Sequence, residues 1–137
     1  MVTHAEDFAR GFLRLLENGQ ALGHAFRITF DEVLTWDQIY GTIAGALGVK
    51  AKMVHIASEF IAGVSPGMYG SLLGDKTWSA VFDNSKIKSF VPGFAAQIPL
   101  RYGVRRTLDW FNADPSRKRV DLAMNEEMDC ILGVYQR

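Results

Sequence analysis

Apolar positions near the start of the chain recur at helical spacing and then switch to alternation. Phe8, Phe12, Leu15 and Leu16 form a stripe, with Thr3 and Glu6 at capping-box spacing ahead of it and Asn18-Gly19 behind. This pattern predicts a helix that begins almost at the first residue. From Ala25 to Phe30 the period becomes two, with Phe26, Ile28 and Phe30 opposite Arg27 and Thr29, the mark of a half-buried strand. Thr35 and Gln38 form a second capping box. The helix behind them carries Trp36, Ile39, Tyr40, Ile43 and Leu47 on one side and ends at Gly48. Ala51 to Ile56 reads as a second short strand, and Ser58 as the cap of a third helix reaching Val64.

Ser65 to Thr77 holds Pro66, Gly67, Gly70 and Gly74 and reads as a loop with room for one helical turn. Trp78 to Phe82 is the third expected strand, and Asp83 caps a short helix over 84–91 that Pro92-Gly93 closes. Pro99 suits the first turn of a helix reaching Asn112, with Leu100, Val104, Leu108 and Phe111 inward, and Asp114-Pro115 stops it. After a polar linker, Asp121 caps a last helix bearing Leu122, Met128, Ile131, Leu132 and Tyr135. The expected fold is therefore mixed α/β (α+β), a small sheet of short strands with several helices. Residues 1–113 are expected to form one domain and 114–137 a polar linker and C-terminal helix. Three short strands are a thin basis for a free-standing sheet.

Composition adds exclusions. Hydrophobic residues make up 48% of the 137, enough for a core and too many for a disordered segment. Fifteen Lys and Arg balance fifteen Asp and Glu, which speaks against a dedicated nucleic-acid binder. The one dense basic run, Arg117-Lys118-Arg119, reads as solvated linker. A single cysteine, Cys130, permits no internal disulfide, and no stretch approaches the length of a membrane span. With no signal-peptide pattern at the N-terminus, a soluble cytoplasmic protein without membrane contact is expected.

The chain holds no complete catalytic set. Gly63-Val64-Ser65-Pro66-Gly67 matches a nucleophile-elbow pattern, but Pro66 has no N–H to lend to an oxyanion hole, and a helix precedes Ser65 where a strand belongs. A glycine-proline turn is the better reading. His4, His24 and His55 lack metal-ligand spacing, and Cys130 lies between apolar residues as a packing cysteine would. Asp31-Glu32 and Glu126-Glu127-Asp129 read as solvated clusters. Gly41, Gly45 and Gly48 do not form a phosphate loop.

Several motifs in order resemble the C-terminal half of extended short-chain dehydrogenase/reductases, the NAD-dependent epimerase/dehydratase family. They are His4-Ala5-Glu6-Asp7-Phe8-Ala9, Ala25-Phe26-Arg27-Ile28-Thr29, Val33-Leu34-Thr35-Trp36-Asp37, Asp83-Asn84-Ser85-Lys86-Ile87, and the run from Gly103 to Phe111. The match spans about residues 3 to 112. It implies a substrate-binding role, often toward a nucleotide-sugar, with NAD or NADP held by a Rossmann cofactor domain that this chain lacks. It also implies that the family's Tyr-x-x-x-Lys pair lies outside the chain, where Tyr102 is followed four residues on by Arg106. No catalytic, cofactor or metal-binding residue is therefore expected here. The family's Arg-x-Gly-Asp-like substrate loop has its nearest counterpart in Gly74-Asp75-Lys76, with Leu72 and Leu73 where an arginine would stand. If that loop faces substrate, Asp75, Lys76 and Trp78 would offer an acceptor, a cation and a stacking face. The expected partners are a small-molecule substrate and either the missing Rossmann half or a second copy. The alternative is a non-catalytic binding module. It could be RNA-associated, like the chloroplast stem-loop RNA-binding relatives of this superfamily, through Arg101, Arg105, Arg106 and the Arg117 run, or a self-associating structural domain.

Overall fold

The computed structural model describes residues 1–136, and of Asp75 the backbone only. Six α-helices are present among the described residues: α1 (Ala5–Leu16), α2 (Trp36–Ala46), α3 (Ser58–Val64), α4 (Ser85–Phe90), α5 (Leu100–Asn112) and α6 (Leu122–Tyr135). Short 3₁₀ turns and one π-helical turn, Gly70–Asp75, lie between them.

No strand occurs among the described residues, which overturns the expected mixed α/β fold with its small sheet. The chain is all-helical. The alternation at 25–30 does report burial: Phe26 and Ile28 pack on the core while Arg27 is exposed. A strand also needs a neighbour's N–H and C=O groups, and alternation alone supplies none. The other two expected strands, 51–56 and 78–82, fare no better. Trp78 to Phe82 is exposed throughout, so no face is covered.

The chain divides into two compact units. The first comprises Met1–Ala51 and Ala80–Ala113, the second Lys52–Ser79 and Asp114–Arg137. In the first, Leu15, Ile87 and Val91 are buried, with Ala21, Phe26, Ile28, Phe90 and Phe94 packed around them. Gly11 is what lets α1 approach this cluster. A Cβ there would stand 2.8 Å from the Phe94 ring and 2.9 Å from Ile28 Cγ2. The Asn18 amide closes α1 by donating to the Phe90 carbonyl at 2.8 Å.

In the same unit α2 packs against α5. Its start is the capping box expected from sequence, with Gln38 N–H donating to Thr35 Oγ1 and Thr35 N–H to Gln38 Oε1. Its end turns on Gly48 at φ +70°, while Val49 N–H donates to the Ala44 carbonyl, an arrangement that only a residue tolerant of positive φ allows at low cost. The start of α1 differs from expectation. His4 caps it through Nδ1, which accepts from Glu6 N–H, and the Thr3 hydroxyl accepts from Phe30 N–H instead.

In the second unit α3 packs on α6, burying Ala62, Ser65 and Ile131. Phe60 and Tyr135 meet edge to face with centroids 5.3 Å apart. Asp121 caps α6 by accepting from Met124 N–H. No helix among the described residues is long and apolar enough to cross a membrane.

Candidate functional site

A buried carboxyl, Asp7, lies on α1 in the first unit. Its side chain is 0% exposed. Backbone N–H groups of Gln97 and Ile98 donate to its two oxygens at 3.0 and 2.8 Å, and Arg10 pairs with Oδ1. Burial pushes the carboxyl pKa up. The two N–H bonds and the Arg10 guanidinium outweigh this and hold it below the ordinary carboxylate value. The motif that begins at His4 therefore fastens α1 to the segment leading into α5.

Around this tie lies a groove of 540 Å³ between α1 and α5, lined by Glu6, Arg10, Gln97, Ile98 and Arg106 among others. A neighbouring hollow of 320 Å³ adds Tyr102, Arg105 and Asp109. The groove's cations are already answered. Arg10 is bonded to Asp7 and to Gln97 Oε1, and Arg106 pairs with Glu6 at 2.8 Å. A phosphate or carboxylate entering here would have to displace those partners, so the groove is a poor anion site.

A second hollow in this unit, of 450 Å³, is apolar. Phe8, Phe12, Leu16, Leu22, Phe26 and Ile28 are among its lining residues, and no Asp, Glu, Lys or Arg is. Phe8 and Phe12 stack with centroids 5.9 Å apart and planes 11° from parallel. His24, at the edge, meets the Phe90 ring edge-on at 5.2 Å.

The residues singled out from sequence lie in the second unit, at the end of the π-helical turn. Lys76 is exposed and donates its N–H to the Ser71 carbonyl at 3.0 Å. Trp78 is 81% exposed. Between them the Thr77 hydroxyl bonds the Leu72 and Leu73 carbonyls at 3.0 and 2.7 Å. That bond fixes the turn, so the cation and the indole stand two residues apart on an ordered base. The Asp75 side chain lies outside the described residues.

Other sequence readings find definite places. Ser65, of the Gly-x-Ser-x-Gly match, is buried and its hydroxyl is committed to Glu127. Glu127 is thus half-buried, where a solvated cluster was expected. It stands four residues from the buried Ile131, on the face of α6 turned toward α3. Cys130, expected to pack, is exposed, because one residue's rotation takes it off the face that Ile131 buries. His24 serves in aromatic packing, and the His55 carbonyl accepts from the Tyr135 hydroxyl at 3.3 Å.

One further polar feature went unread in the sequence. Asn84 is buried and donates to the Thr29 carbonyl and to Asp31, both at 2.8 Å. Asp31 also pairs with Lys88 at 2.7 Å, and the bonds from Lys88 and Asn84 hold its carboxyl below the ordinary value. Asp83 accepts from the N–H and hydroxyl of Ser85, which lowers its pKa as well. It stands one residue outside the observed cap, Asn84. Among the described residues no group of three His, Cys, Asp or Glu side chains could hold a metal ion. No protein-family model, curated protein or solved structure matches the chain.

Proposed function

We propose that the chain is the substrate-binding portion of an NAD(P)-dependent epimerase/dehydratase or reductase that acts on a nucleotide-sugar-like small molecule. In this reading the cofactor loop and the Tyr-x-x-x-Lys pair come from a Rossmann region outside the chain, and the chain alone turns over nothing. The observation that carries the proposal is the ordered run of motifs from His4 to Phe111. The duties of the motif residues support it. His4 caps α1, Asp7 ties α1 to 97–98, Thr35 caps α2 and Asp83 fixes the turn into α4. Residues with such roles are the ones a shared scaffold would need.

Substrate contact falls to the loop at 74–78. Lys76 offers a cation for a phosphate, and Trp78 a large exposed face on which a base or sugar ring stacks. The test is a titration with UDP-glucose, dTDP-glucose and GDP-mannose, followed by tryptophan fluorescence. Saturable quenching by one of them is expected, weakened at least ~10-fold by Lys76→Ala, the loss of one charged contact. NAD should leave the signal unchanged. Tight NAD binding by the chain alone, or indifference to all three sugars, would refute the assignment.

A further inference from the structure

We infer that Asn18-Gly19 is a self-modification site, where the chain loses ammonia from the Asn18 amide once the contact between the ends of α1 and α4 opens. The loss then makes that opening permanent. The inference is independent of the assignment above. Asn18-Gly19 is the chain's single Asn-Gly pair. In such a pair the glycine nitrogen attacks the amide carbon Cγ, because no Cβ on the glycine blocks its approach. The new N–Cγ bond closes a five-membered imide. The bond from Cγ to the amide nitrogen breaks, and ammonia leaves with the proton from Gly19 N–H. Water then opens the imide and leaves a carboxylate at position 18, as aspartate or isoaspartate. Gly19 is exposed, so water reaches the pair.

The folded chain holds this reaction off. Asn18 Nδ2, the leaving group, donates to the Phe90 carbonyl at 2.8 Å, and Oδ1 accepts from Gln20 N–H at 3.0 Å. Ring closure needs the Gly19 nitrogen nearly eclipsed with the Asn18 Cβ, and the observed ψ of 101° turns it well away. Rotating ψ to the reactive value carries Gly19 and Gln20 with it, which undoes the 3₁₀ turn Gly19–Ala21 and breaks the Gln20 bond. The reaction therefore runs through locally opened chain, at the free-chain rate multiplied by the open fraction. Phe90 keeps that fraction small, its ring held edge-on by His24 at 5.2 Å and Phe26 at 5.0 Å.

Once made, the carboxylate cannot restore the contact. It has no N–H to give and sets an acceptor against the Phe90 carbonyl. It also adds a negative charge at the C-terminal end of α1, beside Glu17, where the helix dipole disfavours an anion. Arg14 is the basic residue of that last turn, and its exposure leaves it a weak counterweight. The end of α1 is thus released from α4 in one direction only.

The test follows conversion at position 18 by peptide mass mapping of the full chain, aged in buffer and in denaturing urea at one pH. Conversion is expected in both, at least ~10-fold slower in buffer, a factor that a modest local opening cost supplies. Gly19→Ala has open space for its methyl group and should slow the urea rate at least ~10-fold. Phe90→Ala loosens the contact and leaves Asn18-Gly19 unaltered, so it should speed conversion in buffer and leave the urea rate unchanged. Asn18→Asp makes the product directly and should raise the unfolding equilibrium constant ~10-fold. Equal wild-type rates in buffer and urea, or no conversion in urea, would overturn the inference. So would a Phe90→Ala chain that converts no faster in buffer, a Gly19→Ala chain that converts as fast as wild type, or an Asn18→Asp chain as stable as wild type.

Discussion

Replacing Asp7 with Asn removes one charge and almost no volume, so the effect isolates the electrostatic tie between α1 and residues 97–98. The wild-type carboxylate accepts two backbone N–H bonds in a site with no exposure of its own. An amide retains one acceptor oxygen and turns an NH₂ toward the other N–H, leaving a buried donor opposite a donor. An unsatisfied buried donor costs about 1–3 kcal/mol, and loss of the stronger, charged bond adds about 1 kcal/mol. Arg10 contributes less than its position suggests, because its side chain is 49% exposed and rehydrates when the anion goes. The sum is about 2–4 kcal/mol of stability, a large share of what a domain of this size has in total. Urea unfolding followed by tryptophan fluorescence measures it best in a Trp78→Phe background, since Trp36 and Trp110 then report on the first unit alone. The pH dependence has a definite sign. Asp7 has a lowered folded pKa, so its contribution is complete above the unfolded carboxylate value of ~4 and fades as pH falls through the lower folded value. The gap between wild type and Asp7→Asn should therefore be full at neutral pH and shrink in acid. A gap under ~1 kcal/mol at pH 7, or one that widens in acid, would refute the account of Asp7 as the fastening of α1.

Gly11→Ala should destabilise by about 1–3 kcal/mol, because the new methyl group meets the Phe94 ring at 2.8 Å and Ile28 at 2.9 Å. Gly45→Ala in α2 has nothing within 4 Å and should stabilise by about 0.5–1 kcal/mol, so thermal melts of the pair should shift in opposite directions. Thr35→Ala breaks the capping box and should cost about 1 kcal/mol in urea titrations, with helix content falling slightly. Lys88→Met removes the exposed pair with Asp31 and should move the urea midpoint by less than ~1 kcal/mol equivalent.

What could be read from the sequence was local. The Thr35/Gln38 box, the Gly48 terminus and the Asp121 cap each depend on atoms within five residues, and each stands where the spacing put it, while Pro99, expected in the first turn of α5, stands one residue earlier as its N-cap. The sheet was misread because alternation at Phe26 and Ile28 reports which side chains are buried and is silent about ladder partners. The start of α1 was misread by one residue, since His4 carries a cap acceptor as Thr3 does and Thr3 is drawn to Phe30. Asp7 was visible only as part of a family-like motif. Its partners are the featureless N–H groups of two residues far along the chain, which no side-chain pattern announces. Asn84 and the Ser65–Glu127 bond were hidden for a related reason, since their partners, the Thr29 carbonyl, the Asp31 carboxylate and the Glu127 carboxylate, lie far along the chain and only the fold brings them near. Lys76 and Trp78 were singled out by resemblance, and their exposure keeps them available to a ligand.

The first unit is assembled from two stretches of chain with another unit's residues between them. On a ribosome this ordering imposes a delay. Asp7 emerges early, yet the amides that satisfy it belong to residues 97 and 98. At roughly 5–20 residues per second, α1 waits on the order of 5–20 s before its carboxylate can be sealed. Throughout that interval Leu15 faces water, because Ile87 and Val91, which bury it, have yet to emerge. Slower translation of 52–79 would lengthen that exposure.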